Sequence, residues 1–163
     1  MSALISSCGL YRYRLGRSWD TLTGAGTVLW VMLNPSTADA EQDDPTIQRC
    51  VGFAKRWGYA GISVGNLYAY RATKPADLWD AAEILDVRGS ANDQHLCEMA
   101  RDASLIMCAW GSYADHHRAV RVIALLRRFL PLHCLGTTKG GQPLHPLYVP
   151  NTRTPIRLEC SYL

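Results

Sequence analysis

Four polar clusters in this chain combine residue types that bind ligands or move protons. They are Asn34-Pro35-Ser36-Thr37; Asn66 followed by Tyr70, Arg71 and Thr73; Trp110-Gly111-Ser112; and a loop from Gly136 to Pro146 that holds Lys139 and His145. An acidic stretch with Asp39, Asp43 and Asp44 follows the first cluster. Arg71 has the planar fork that clamps a phosphate or pairs with one of those carboxylates. The run Gly136-Thr137-Thr138-Lys139-Gly140-Gly141 offers backbone N–H groups and an ammonium to a phosphate. Its glycine and lysine spacing is not that of a Walker loop, and no helix clearly follows. A serine-hydrolase reading is weak: there is no G-x-S-x-G elbow, and no carboxylate is obviously placed to orient His145. Each cluster also has a local reading. Asn, Pro and Ser favour turns, Asp44 before Pro45 suits a helix N-cap, and a lone loop histidine is more often structural than catalytic.

Strands and helices must position these groups. Val28-Leu29-Trp30-Val31-Met32-Leu33 is an unbroken apolar run, the pattern of a strand covered on both faces. Pro35 cannot donate to a ladder and drives the preceding residue out of the helical region, so this strand is expected to stop at Asn34. Residues 61–69 read as the next strand, 105–110 as a third closed by Gly111, and 132–135 as a short fourth. A helix is expected from Asp44 and Pro45 to about Trp57, with Ile47, Cys50, Val51 and Ala54 on one face and Gly58 stopping it. Pro75 and Asp77 begin a short helical piece, and longer helices span roughly 90–101 and 114–129. Residues 10–15 alternate like a half-exposed edge strand, residues 16–26 read as a loop, and the tail after 147 supplies at most another edge strand. Strands alternating with helices imply βαβ units and a parallel sheet with helices on both faces. Parallel strands would bring all four polar clusters to one sheet edge, where ligands bind in open α/β sheets.

The totals narrow the class. At 163 residues, 48% hydrophobic and 19% charged, the chain has globular composition and is expected to form a single α/β domain over residues 1–163. A net charge of +3 permits an anionic partner without demanding one. The six cysteines form no C-x-x-C pair, and the first residues do not read as a basic region followed by a long apolar one, so a reduced, cytoplasmic protein is expected. Apolar stretches are too short to span a membrane, and scattered Cys and His argue against zinc; no metal and no cofactor are expected.

Several motifs occur together: Leu33-Asn34-Pro35-Ser36-Thr37-Ala38-Asp39; Asp43-Asp44-Pro45-Thr46 with Cys50; Gly65-Asn66-Leu67 with Tyr70-Arg71-Ala72-Thr73 and Pro75; Ala109-Trp110-Gly111; and Pro143 with His145-Pro146. In combination they resemble the domain-of-unknown-function family 1643, over roughly residues 10–150. That family is in turn distantly similar to the uracil-DNA glycosylase superfamily, with its motifs G-[IM]-N-P-G, W-G and H-P-S-P. Here Met32-Leu33-Asn34-Pro35-Ser36, Trp110-Gly111 and His145-Pro146-Leu147 correspond to them. The similarity implies a three-layer αβα fold with a short, mainly parallel central sheet. It also implies roles: Asn34 holds or activates the attacking water, His145 donates to the departing base, and Asn66 reads the base edge. Pro35, Ser36, Thr37, Tyr70, Arg71, Trp110, Gly111 and Lys139 would contact substrate. The Asp43-Asp44 element has no counterpart; it either replaces the usual water-activating group or caps a helix, with Asp43 the freer of the two. Met32 stands where the superfamily has glycine, and Leu147 where it has serine.

The expected function is therefore cleavage of the N-glycosidic bond of a modified or damaged base in nucleic acid, DNA first, as in DNA repair or modified-base processing. Such cleavage builds positive charge on the sugar and negative charge on the base, so it needs a placed water and a donor facing the base. The base must be unpaired or flipped out. Met32 and the missing serine motivate an alternative, a non-catalytic nucleic-acid or nucleotide-binding module. Small size and mild basicity motivate another, a hydrolase or transferase on free nucleotides.

Overall fold

The apolar run at residues 28–33 lies at the middle of the sheet. The computed structural model describes residues 1–19, 22, 25–36 and 41–159. The strands are β1 (Ser2–Ile5), β2 (Arg12–Ser18), β3 (Thr27–Met32), β4 (Gly61–Asn66), β5 (Leu105–Cys108), β6 (Leu132–Cys134) and β7 (Ile156–Arg157). Helix α1 (Pro45–Arg56) joins β3 to β4, α2 (Pro75–Ala82) and α3 (Asn92–Asp102) lie between β4 and β5, and α4 (His116–Leu126) joins β5 to β6. The strands form one sheet in the order β1-β2-β4-β3-β5-β6-β7.

Among the described residues, the pairings β3–β4, β3–β5 and β5–β6 are parallel, and β1–β2, β2–β4 and β6–β7 are antiparallel. This corrects the expected short, mainly parallel sheet: it has seven strands and is mixed. The parallel part is the predicted βαβ series; antiparallel additions extend it on both sides. The strand expected at an edge, β2, lies inside, paired through Leu15–Ser18 with Val64–Gly61 of β4. The edge is β1, whose four residues carry too little pattern to announce a strand. The tail supplies β7 against His133 and Cys134, as the sequence suggested.

Alternation along β3 explains its lack of polar residues. Leu29 and Val31 pack with Leu96, Met99, Val122 and Leu126 of α3 and α4. Val28, Trp30 and Met32 pack on the other face with Ile47, Cys50, Phe53 and Ala54 of α1. Both faces are thus covered by helices. The Trp30, Phe53 and Trp57 rings meet with centroids 5.3 to 6.0 Å apart. Full burial of a side chain such as Phe53 contributes about 1.5–3 kcal/mol. On the opposite face α3 lies close to β4 because Gly65 has no side chain. A Cβ there would sit 2.6 Å from Met99 and 2.7 Å from Leu96.

Helix α1 begins as the sequence predicts. Asp44 Oδ1 accepts a hydrogen bond from the Ile47 N–H at 2.8 Å, and Pro45 takes the first helical position. Trp57 is the C-cap, and Gly58 follows with φ +80°. Adjacent β3 and β5 lead to helices on opposite faces, α1 and α4 respectively. Their outgoing loops therefore part at the carboxyl edge, and a crevice opens between them. Among the described residues, no helix is long and apolar enough to cross a membrane.

Candidate functional site

The crevice is a cleft of about 320 Å³. The end of β3 contributes Met32, Leu33, Asn34 and Ser36, and the start of α1 contributes Asp44, Thr46 and Ile47. The loop after β5 contributes Trp110 to Tyr113, and the loop after β6 contributes Thr138, Leu144, His145, Leu147 and Tyr148. Thr73 and Arg12 close the side nearest β2. The floor is mostly apolar, with a few polar groups around it, the usual make-up of a small-ligand site.

Asn34 is held by its own backbone surroundings. The segment after β3 pairs with the segment after β4 through Tyr68 N–H to Leu33 O at 3.0 Å and Ala72 N–H to Pro35 O at 2.9 Å. The Asn34 side-chain nitrogen donates to Ala72 O at 2.7 Å and Pro35 O at 3.1 Å. Both partners are carbonyl oxygens, which only accept, so the amide cannot be turned over. Its Oδ1 is then the amide's acceptor at the cleft and has no partner among the described residues.

The two aspartates separate. Asp43 turns away and pairs with the buried Arg17 of β2 at 2.7 Å. The expectation that Asp43 is the freer carboxylate is corrected: a guanidinium holds it outside the cleft lining. Asp44 lines the cleft and also caps α1. Its Oδ2 accepts from the Ser36 hydroxyl, so one carboxylate ties the end of β3 to the start of α1. A carboxylate has about four acceptor positions, so these two bonds do not exhaust Asp44.

His145 caps the 3-10 turn Pro146–Tyr148. The Leu147 N–H donates to its Nδ1 at 3.4 Å. An accepting Nδ1 places the proton of the neutral ring on Nε2, which becomes a donor. Burial pushes the His145 pKa below its usual value, and the nearby Asp44 carboxylate partly opposes the shift. The loop is fixed from both sides. Gly111 N–H donates to Pro143 O at 2.9 Å, and Trp110 Nε1–H donates to Gln142 Oε1 at 2.7 Å. Gly111 has φ +73°, a conformation that favours glycine. On the other side, Arg49 of α1 donates through Nε to Pro146 O at 3.1 Å and through Nη2 to Val149 O.

Other predicted site residues lie elsewhere. Asn66 is buried, its backbone carbonyl accepts from Asn92, and its side chain is outside the cleft lining. Tyr70 packs edge-on against Tyr11, with centroids 6.1 Å apart. Arg71 donates to Gly9 O at 3.2 Å instead of facing the acidic stretch. Pro35 is buried beside the lining. Lys139 is exposed in a tight loop whose own backbone bonds, Gly141 N–H to Thr138 O and Thr138 N–H to Gln142 O, use two of the donors expected to cradle a phosphate. Thr37 and Asp39 lie outside the described residues.

Sequence reasoning missed Arg12, Arg49, Tyr113 and Tyr148. Arg12 begins β2, and because β2 is antiparallel to β4 its first residue, not its last, reaches the ligand edge. The tyrosines sit one and three residues past motifs already singled out, Gly111-Ser112 and His145, and extending those motifs would have found them.

Around one apolar cleft the chain thus sets an amide acceptor, a carboxylate and a neutral imidazole donor. No nucleophilic triad is present among the described residues: Ser36 bonds to Asp44, and His145 Nδ1 accepts from backbone instead of donating to a carboxylate. No curated protein and no solved structure matches the chain. The chain belongs to the family described as "Protein of unknown function (DUF1643)", whose model matches residues 12–147.

Proposed function

We propose that the protein hydrolyses the N-glycosidic bond of a nucleobase, with a modified or damaged base of DNA as the first candidate. One observation carries this reading: Asn34 and Asp44, which can hold a water, share the cleft with a histidine whose neutral form donates from Nε2. Further support comes from the resemblance to the uracil-DNA glycosylase superfamily at the corresponding residues. The parallel core β4-β3-β5-β6 with its cleft at the carboxyl ends is consistent with a glycosylase-like fold.

In this mechanism the base enters the apolar floor beside Met32 and Leu144. Asn34 Oδ1 and the Asp44 carboxylate accept from a water and aim it at the sugar carbon. As the glycosidic bond breaks, its electron pair leaves with the base, and His145 Nε2–H donates to the developing anion. A neutral imidazole is the right donor here, because it stabilises the anion without having to give up its proton. Water adds to the sugar, and its proton passes to Asp44.

The test is base release followed by mass spectrometry. Oligonucleotides carrying uracil, hypoxanthine, oxidised and hypermodified bases are incubated with the protein and with Asn34→Ala and His145→Ala. Release of one base, lowered at least about a hundredfold in each variant, is the expected result, since losing one preorganised hydrogen-bonding group costs about that much. Release unchanged in both variants, or no release from any substrate, overturns the mechanism.

A further inference from the structure

Among the described residues the exposed aromatic side chains are Tyr113, at 63%, and Tyr148, at 82%. Both border the cleft. The other described Trp, Tyr and Phe side chains are buried or half-buried, so these two are the most exposed of those rings among the described residues.

The two rings are presented alike. Each is the last residue of a one-turn 3-10 helix, Gly111–Tyr113 on the loop after β5 and Pro146–Tyr148 on the loop after β6. Both turns are fixed at their start, Gly111 by its bond to Pro143 O and Pro146 by the Arg49 bond to its carbonyl. A tyrosine on a fixed backbone has only two side-chain angles to order on binding, so stacking on it costs little entropy. The Tyr148 ring lies 5.6 Å from the His145 ring, tilted by 48°. A flat group on Tyr148 is therefore a neighbour of whatever His145 touches.

Charge decides what kind of flat group. Besides His145, the charged side chains among the described lining residues are Arg12 and Asp44, one of each sign. A double helix is bound mainly through rows of phosphate contacts from Lys and Arg, and its bases are already stacked on each other. An unpaired strand instead offers free base faces to aromatic side chains.

We infer that Tyr113 and Tyr148 form a stacking rim for bases flanking the one in the cleft, so that the substrate is an unpaired strand. This rests on the proposed nucleobase site and adds the strand state to it.

Binding is measured by fluorescence anisotropy with a labelled single-stranded oligothymidylate, with the same strand annealed to its complement, and by competition with thymidine 5′-monophosphate. The single strand is expected to bind at least about tenfold tighter than the duplex, with a shallow salt dependence. Tyr113→Ala and Tyr148→Ala should each weaken strand binding about tenfold, while Tyr113→Phe and Tyr148→Phe, which keep the ring, bind like the parent. Equal or tighter duplex binding, no effect of the alanine substitutions, competition by the monophosphate as strong as by the strand, or no binding at all overturns the inference. The two proposals fail separately. Base release from duplex and single strand alike, unaffected by Tyr148→Ala, removes the stacking rim and leaves the glycosylase. Tyrosine-dependent strand binding with no base released does the reverse.

Discussion

Two backbone carbonyls decide which way the Asn34 amide faces, and one backbone N–H decides the tautomer of His145. Neither decision needs a ligand, so both groups are set before substrate arrives. The His145 environment also fixes a pH dependence. Burial lowers its pKa and Asp44 raises it, with burial the larger effect. The neutral donor form therefore persists below the usual titration range of histidine, and is lost only as pH falls through the lowered value. In an NMR titration the His145 ring should titrate below 6.5, and lower still in Asp44→Asn, where the opposing charge is gone. A ring that titrates at or above 6.5, or moves up in Asp44→Asn, contradicts the placement of these two groups. That Asn34 and His145 would stand at one sheet edge was legible, because each follows a strand of the parallel series, β3 and β6, past its carboxyl end. The choice between Asp43 and Asp44 was not, because it turns on Arg17, a residue 26 positions away that arrives through an antiparallel strand.

At the scale of elements, Asp44 does two jobs that substitution can separate. As an N-cap its carboxylate satisfies the Ile47 N–H; in the proposed reaction the same group accepts from water. Asp44→Asn keeps a side-chain oxygen for the cap and removes the charge, so thermal stability should change little while base release falls about a hundredfold or more. Asp44→Ala should lose the activity and also about 1 kcal/mol of stability. If Asp44→Asn retains full activity, the residue only caps a helix. Arg49 poses a related question for α1, since its guanidinium reaches the carbonyls of Pro146 and Val149. It acts through His145 as a positioning residue. Arg49→Met removes the guanidinium that lies over Phe53 and bonds the turn but keeps an apolar side chain of similar length, so kcat should fall more than KM rises, and the His145 ring should show averaged NMR signals. An unchanged kcat would show that the turn holds itself. The start of α1 was readable from Asp44-Pro45, whereas nothing local reports a bond between residues 97 apart.

Across the whole molecule, the alternation of apolar runs and helical periods was enough to foresee four parallel strands with their loops at one edge. It did not foresee β1, whose four residues fit a loop equally well, or that β2, read as an edge strand, runs antiparallel inside the sheet. Missing that direction hid Arg12. Nor does the pattern show how the site is braced beneath the cleft, where α3 and α4 meet the end of β4. Arg118 Nε donates to Leu67 O at 2.7 Å, its Nη1 pairs with Asp93 at 2.7 Å, and Asn92 donates to the carbonyls of Asn66 and Leu67. From Leu67 the backbone runs on to Ala72, which holds Asn34, so this cluster anchors the segment that orients the amide. Asp93 also pairs with Arg121 at 2.9 Å. The two arginines share one carboxylate but differ in setting: the Arg118 side chain is 5% exposed and that of Arg121 66%. Breaking a fully buried pair costs about 3–5 kcal/mol, and an exposed pair contributes about 0–1 kcal/mol. Because Asp93 is 29% exposed and would keep Arg121, Arg118→Met should cost about 2 kcal/mol, and Arg121→Ala under about 0.5 kcal/mol. Urea unfolding measures both, as shifts of midpoint at constant slope. Equal losses in the two variants would mean that Asp93, rather than the buried bond from Arg118 to Leu67, sets the strength of the brace.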